Sequence, residues 1–339
     1  MNWEKKDIAP ELVKSISSKY GCDLLTASIL ARRGIVSGGE IKYFLEDDIR
    51  HLINPFELPG MEDAVERILA AKEEGEKILV FGDRDADGIS AAAMVTGFLL
   101  SIGMDVITRL PQGDEPYGLS IGAVEEFAAA YGTLIITVDC GISNMQEVKR
   151  AAELGVDVII TDHHNPQEEI PEALVILNPK LDCCPADGPD GQGPGAYPFR
   201  NLAGCGVAYK LVSALRFALK SELFGQDICL LNTCPANDAF VIEIAKMRNL
   251  VVIKSLTETL VPGRVKIDQT RLPAFLEGQQ IMVWDAALQR RTLTAIFGGA
   301  AEINMLDIAP EIGKEFPSAA GKSLLRIKEL SRIAKYSDR

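Results

Sequence analysis

The chain has 339 residues, with 35 Lys and Arg against 48 Asp and Glu, a formal net charge of −13. That balance argues against broad, charge-driven duplex binding, which takes a basic surface, and less against a nuclease whose carboxylates bind divalent cations. Hydrophobic residues at 47% supply a full core, no apolar run reaches the length of a membrane span, and the opening residues lack the apolar core of a signal peptide, so a cytoplasmic protein with no membrane partner is expected.

Residues 1–60 read as an N-terminal helical segment, closed by the loop Asn54-Pro55-Phe56-Glu57-Leu58-Pro59-Gly60. Residues 61–74 carry Ala64, Ile68, Leu69 and Ala71 on one helical face. Strands and helices then alternate. The runs 77–81, 106–110, 133–138, 156–160 and 173–177 are short and apolar, and helices are expected between the first four at 89–100, 121–131 and 144–154. Repeated strand–helix–strand units imply an α/β fold, a parallel sheet with helices on both faces. Residues 182–199 are loop, 202–223 a long helix, and a new apolar run at 228–231 opens a smaller α/β domain over 226–339. The seven cysteines form no CxxC pair, so free thiols in a reducing compartment are the expected state.

Acidic residues gather at strand ends. Gly82-Asp-Arg-Asp-Ala-Asp-Gly88 follows the first strand, Asp139-Cys-Gly-Ile-Ser143 the third and Asp162-His-His-Asn-Pro166 the fourth. Ligands bind beyond the carboxyl ends of parallel strands, so the three clusters are expected to meet. Taken singly, the Asp run fits a calcium-loop start or a solvated turn, Asp139 a helix N-cap, and the His pair a surface pair. Together, the carboxylates are costly without a counter-charge. Carboxylate with imidazole suits Mn²⁺, with Mg²⁺ at oxygen-rich positions. Two ions about 3.5–4 Å apart can activate water and stabilise a phosphodiester's leaving oxygen.

In combination these residues resemble the DHH phosphoesterase superfamily, and within it the RecJ single-strand exonuclease branch. GDRDADG (82–88), VDCGIS (138–143), TDHHNP (161–166) and LAGCGVAYKL (202–211) carry the resemblance, with NPK (178–180), RRGIVS (32–37) and NPFELPGMEDAVERI (54–68) beside them. It implies Asp85, Asp87, Asp139 and His163 as metal ligands, with Asp83 and Asp162 in or beside the same shell as catalytic groups. His164 is expected to contact the scissile phosphate. Gly204 and Gly206 are expected to admit the nucleic acid backbone, or else to serve helix-start packing. The segment LPQGDEPYGLS (110–120) keeps the Tyr-Gly pair but lacks the usual arginine after the proline. Arg84 stands where an aromatic residue is common. The family's further metal-binding Asp, in a Gly-Thr-Ile-Ala-Asp context, is not reproduced in Leu231-Asn-Thr-Cys-Pro-Ala-Asn-Asp238, where Asp238 is the candidate substitute.

Residues 228–263 have the rhythm of a DnaQ-like exonuclease, with 281–293 and 302–312 where later motifs would fall. The opening Asp-x-Glu is replaced by Asn232 and Cys234, and Asp285 and Asp307 do not restore the set. The expectation is a degenerate relative that binds or scaffolds. Gly321-Lys-Ser has the wrong spacing for a phosphate loop, and 327–336 reads as a basic amphipathic helix. The resemblance implies an Mn²⁺- or Mg²⁺-dependent enzyme with two ions, degrading single-stranded DNA from the 5′ end, with repair or recombination proteins as partners. The alternatives are an oligonucleotide or cyclic-dinucleotide phosphodiesterase, and a catalytically impaired scaffold.

Overall fold

The computed structural model describes residues 7–46, 52–181, 197–298 and 303–315. The chain divides into two compact units between Ile53 and Asn54. The first is helical: α1 (Pro10–Tyr20), α2 (Leu24–Arg32) and α3 (Gly38–Leu45). Asp23 caps α2 by accepting the Thr26 N–H, and Ser37 with Glu40 forms a capping box on α3. Ile16, Ala27, Leu30 and Ile41 close its small core. The loop 54–60, expected with this segment, belongs to the second unit. Asn54 Nδ2 donates to Asn249 O at 3.0 Å, and Phe56 packs edge-on against Phe217.

The second unit holds two sheets. The first is built from α4 (Met61–Glu74), β1 (Lys77–Gly82), α5 (Ala86–Ser101), β2 (Asp105–Arg109), α6 (Ile121–Ala129), β3 (Leu134–Val138), α7 (Met145–Glu153), β4 (Asp157–Thr161), β5 (Val175–Leu177) and α8 (Gly204–Lys220). Its order is β2-β1-β3-β4-β5, and every pairing is parallel. Leu79, Phe81, Ile135, Val158 and Ile160 pack on Ala123, Val124 and Phe127 of α6 and Val148 and Ala151 of α7. The alternate residues Ile78, Val80, Ile136 and Ile159 are fully buried on the opposite face, where α5 and α8 lie against the central strands. Both faces are covered, as the continuous apolar runs require. β1 pairs with β2 on one side and β3 on the other. The connections therefore diverge there, and the β1/β3 boundary is the sheet's switch point, where ligand crevices form.

The second sheet comprises β6 (Asp227–Ala236), β7 (Ala239–Arg248), β8 (Val251–Leu260), β9 (Ile281–Val283) and β10 (Met305–Asp307), with α9 (Leu272–Leu276), α10 (Ala286–Phe297) and α11 (Ala309–Glu315). Its order is β10-β9-β6-β7-β8. β6, β7 and β8 form an antiparallel meander, and β9 and β10 run parallel to β6. Leu272 and Phe275 of α9 and Leu293 and Ile296 of α10 cover one face. Arg248 joins this sheet to α4 through Glu62, at 2.6 Å.

Among the described residues no helix is long and apolar enough to cross a membrane. Cys22, Cys140, Cys205, Cys229 and Cys234 are free thiols. Cys183 and Cys184, the Gly321-Lys-Ser run and the expected 327–336 helix lie outside the described residues.

Candidate metal centre

The turn from β1 into α5 sets the first donors. Asp83 is 8% exposed. The turn tightens so far that a Cβ at Gly88 would lie 2.5 Å from the Asp83 carbonyl, so only glycine fits. Asp85 is the N-cap of α5, and its Oδ1 accepts the N–H groups of Asp87 and Gly88, both at 2.9 Å. Asp87 turns the other way. Its oxygens accept the Gly204 N–H at 2.8 Å and the Cys205 N–H at 2.7 Å, at the start of α8. Burial alone would raise the Asp87 carboxyl, but hydrogen bonds from Cys205 and Gly204 hold it below its ordinary value.

Asp139 follows β3 with φ 59, a left-handed conformation that is uncommon outside glycine and clusters at functional sites. Its N–H donates to Thr161 O at 2.9 Å, and its carbonyl accepts from the Tyr117 hydroxyl at 2.9 Å. The residue is 2% exposed, yet Oδ1 has no hydrogen-bond partner. His163 Nε2 stands 3.1 Å from it and 3.8 Å from Asp87 Oδ2. Burial, then the Asp87 and Asp85 charges, push the Asp139 carboxyl up from 3.8 to about 7. A buried, unpartnered carboxylate oxygen facing an imidazole nitrogen is a donor arrangement that a cation satisfies.

Donor atoms converge in two groups. Asp139, His163 and His164 bring ligand atoms within 4.8 Å of one another, and so do Asp83, Asp85 and Asp139. Asp139 belongs to both, which is what a pair of neighbouring ions needs from a shared carboxylate. Carboxylates with imidazole suit Mn²⁺, and the all-oxygen group suits Mg²⁺ or Mn²⁺.

Asp162, expected in or beside the same shell as a catalytic group, sits behind the two histidines. It is 1% exposed, and its Oδ1 accepts the His163 and His164 N–H groups at 2.7 and 3.0 Å, while Oδ2 accepts from Ile142 N at 3.0 Å. His164 Nδ1 lies 2.7 Å from the same Oδ1. With both oxygens engaged, Asp162 orients the histidines from behind. Gly204 and Gly206, expected either to admit the nucleic acid backbone or to serve helix-start packing, stand in the first turn of α8. A Cβ at Gly204 would stand 2.2 Å from Asp139 Oδ1, and one at Gly206 meets only Leu202, at 3.3 Å. This chain's own side chains fill that space. Asp238 is not brought to the centre. It is exposed in the turn between β6 and β7, beside Asn237 at φ 52, and belongs to neither donor group. Asn-Asp is turn chemistry, and that outweighs its place in the motif.

Tyr117, Asn144 and Asn178 are further neighbours of the centre, to which the sequence assigns no role. The Tyr117 hydroxyl lies 3.2 Å from His164 Nδ1, and burial pushes its pKa up, with Asp162 adding to the effect. Asn144 clasps both backbone groups of Leu119, at 3.0 and 3.2 Å, and Asn178 Nδ2 donates to His164 O at 2.9 Å. The Tyr-Gly pair is the only sequence signal for Tyr117. Asp285 and Asp307 serve as caps. Asp285 accepts from Leu288 N, and Asp307 from Asp285 N, Ala286 N and Ala309 N.

Residues 77–231 match the family described as DHH family, N-terminal domain. This stretch is a DHH-family domain. The DHH domain and its flanks resemble the single-stranded-DNA-specific exonuclease RecJ of Bacillus subtilis (strain 168), 38% identical over 224 residues, 66% of this chain and 27% of the relative. The Escherichia coli (strain K12) protein of the same name is 37% identical over 200 residues, 58% of this chain and 32% of the relative. The chain thus spans a third or less of these relatives. Among solved structures, RecJ in complex with Mn²⁺ from Thermus thermophilus is 29% identical, covering 62% of this chain and 27% of that one at a TM-score of 0.43. An exonuclease RecJ bound to manganese is 35% identical, covering 48% and 39%, with a TM-score of 0.41.

Proposed function

We propose that this chain carries the metal-dependent phosphodiesterase centre of a RecJ-like exonuclease that degrades single-stranded DNA from the 5′ end in recombination and repair. The observation that carries the reading is buried Asp139, which is common to both donor groups and whose Oδ1 has no hydrogen-bond partner and lies 3.1 Å from His163 Nε2. Asp83, Asp85, Asp139 and His163 would hold two Mn²⁺ or Mg²⁺ ions, with Asp87 Oδ2 beside them. Ions so bound supply an activated water and neutralise charge on the phosphodiester. Asp162 fixes Nδ1 of His164 and leaves Nε2 on the half-exposed side of the ring. A proton at that nitrogen donates to a non-bridging phosphate oxygen. Tyr117 buttresses both groups, through the Asp139 carbonyl and the edge of the His164 ring. The substrate class and polarity rest on the relatives' names and the motif resemblance.

The test is Mn²⁺-titrated hydrolysis of a 3′-labelled single strand, the matching duplex and short oligomers. Progressive shortening of the labelled single strand, absent without the ion and weak on duplex, is the expected result, whereas immediate release of the labelled 3′ mononucleotide would reverse the polarity. Preference for dimers to pentamers would move the assignment to an oligonucleotide or cyclic-dinucleotide enzyme. A second reading, a scaffold with impaired metal binding, draws on Asp238 lying outside both donor groups. Absence of bound divalent ion after dialysis against Mn²⁺ would decide for it.

A further inference from the structure

The carboxylate-rich rim needs a cation for the substrate's backbone beyond the scissile group, and one side chain is available on its β2 side. The loops that carry the donors, 82–88, 139–144 and 161–167, together with the neighbouring loop 110–120, contain a single Lys or Arg, Arg84. It follows Asp83 and precedes Asp85, and it is exposed. Its Nη1 donates to Gly113 O at 2.9 Å, and no described carboxylate lies within ion-pair distance of it. A guanidinium has five N–H donors in a fixed fork. One bond to a neutral carbonyl holds the group in place and leaves the rest of the fork for a charged acceptor. The cation at the end of β2 is already engaged, since Arg109 pairs with Glu115 at 2.8 Å and Glu126 at 2.6 Å. On the far side, past β4, Lys180 and Arg200 lie together, with Arg200 donating to Lys180 O. Positive charge therefore flanks the acidic centre on both sides, and β1 and β5, three strand spacings apart, stand roughly 14 Å from each other.

We propose that Arg84 binds a non-bridging oxygen of a backbone phosphate next to the scissile one, on the β2 side of the rim, so that the single strand crosses the switch point from Arg84 toward Lys180. This rests on the phosphodiesterase reading above and adds a binding residue to it. A surface arginine without an acidic partner is ordinarily just solvated. Its anchorage to the loop that presents Tyr117 and its place as the single cationic residue of the rim loops favour a ligand.

Arg84→Gln keeps an N–H donor for Gly113 and removes the charge. Steady-state hydrolysis of a 3′-labelled oligothymidylate under Mn²⁺ should give a KM raised about tenfold, with kcat within about twofold. The slope of log K against log salt, from binding of the same strand, should fall by about one counterion. Arg84→Lys should restore the slope. A strand whose adjoining phosphate is a neutral methylphosphonate should bind the unsubstituted and R84Q chains alike. An unchanged salt slope in R84Q, or an equal loss on the neutral strand, overturns the proposal. If the unsubstituted chain cleaves no strand under Mn²⁺, the phosphodiesterase reading fails first, and the two failures are distinct.

Discussion

Aspartates end strands in both sheets of the second unit, and their fates differ. Asp307, at the end of β10, accepts three backbone N–H groups. Burial would raise its carboxyl, but those bonds from Ala286, Ala309 and Asp285 hold it below the ordinary value. Asp139, just past the end of β3, has a buried oxygen with no hydrogen-bond partner and a carboxyl pushed up to about 7. The first is a satisfied cap that stabilises α10 and α11. The second is a group kept unsatisfied by its own fold, which is costly unless something outside the chain completes it. Position at a strand end does not separate the two roles, but the hydrogen-bond ledger of each carboxylate does.

The sharpest way to break this contrast is at Asp139 itself. Asp139→Ala should lower Mn²⁺-dependent hydrolysis at least about a thousandfold, the scale of losing one member of a concerted set, while Asp307→Asn leaves turnover unchanged. Comparable losses in both would erase the distinction. Next, Gly204→Ala puts a Cβ 2.2 Å from Asp139 Oδ1. Calorimetric titration with Mn²⁺ should show affinity reduced about 10- to 100-fold, and Gly206→Ala, which meets only the flexible Leu202, should bind normally. A third comparison uses pH. The folded Asp139 carboxyl titrates near 7 and its ordinary value is 3.8. Between those values the native state holds the extra proton, so the ion-free protein loses stability as pH rises through that window. Asp139→Asn should therefore raise ion-free stability by on the order of 2 kcal/mol above pH 7 and change it little below pH 4. Denaturant midpoints at the two pH values read this directly. The smallest effect is in the second sheet, where Asp285→Ala removes the Leu288 cap and should cost about 1 kcal/mol, with hydrolysis intact.

Much of this was legible in the residues. The runs Ile78–Phe81 and Val158–Ile160 are apolar throughout, and Leu134–Val138 is apolar but for Thr137, the mark of strands buried on both faces, and each is followed within two residues by a Gly or Asp. That pattern points to both the parallel sheet and the edge where the donors meet. What stayed hidden depends on long-range contacts. Nothing local to Asp87 announces that amides 117 and 118 residues away will take its carboxylate. Nothing local to Gly204 says that Asp139 occupies the space above it. Asp162 and Asp139 look equivalent as letters, and only the backbone path after each strand decides which one faces inward on N–H groups. In the second sheet, the alternation in Phe240-Val-Ile-Glu-Ile-Ala245 marks a half-buried strand. Asp238, by contrast, draws notice for its place in a motif when Asn237-Asp238 is first a hairpin turn.

The parallel register that unites β1, β3 and β4 has a bearing on how the molecule assembles. The donors are contributed by segments spread over roughly eighty residues, and none of these segments gathers them alone. Any ion they share can be captured only after the central strands have docked, so it binds the finished unit and not a partly collapsed chain. Protection from proteolysis that rises with manganese concentration would then report the docked sheet, and the ion would act as a latch on the strands that hold it.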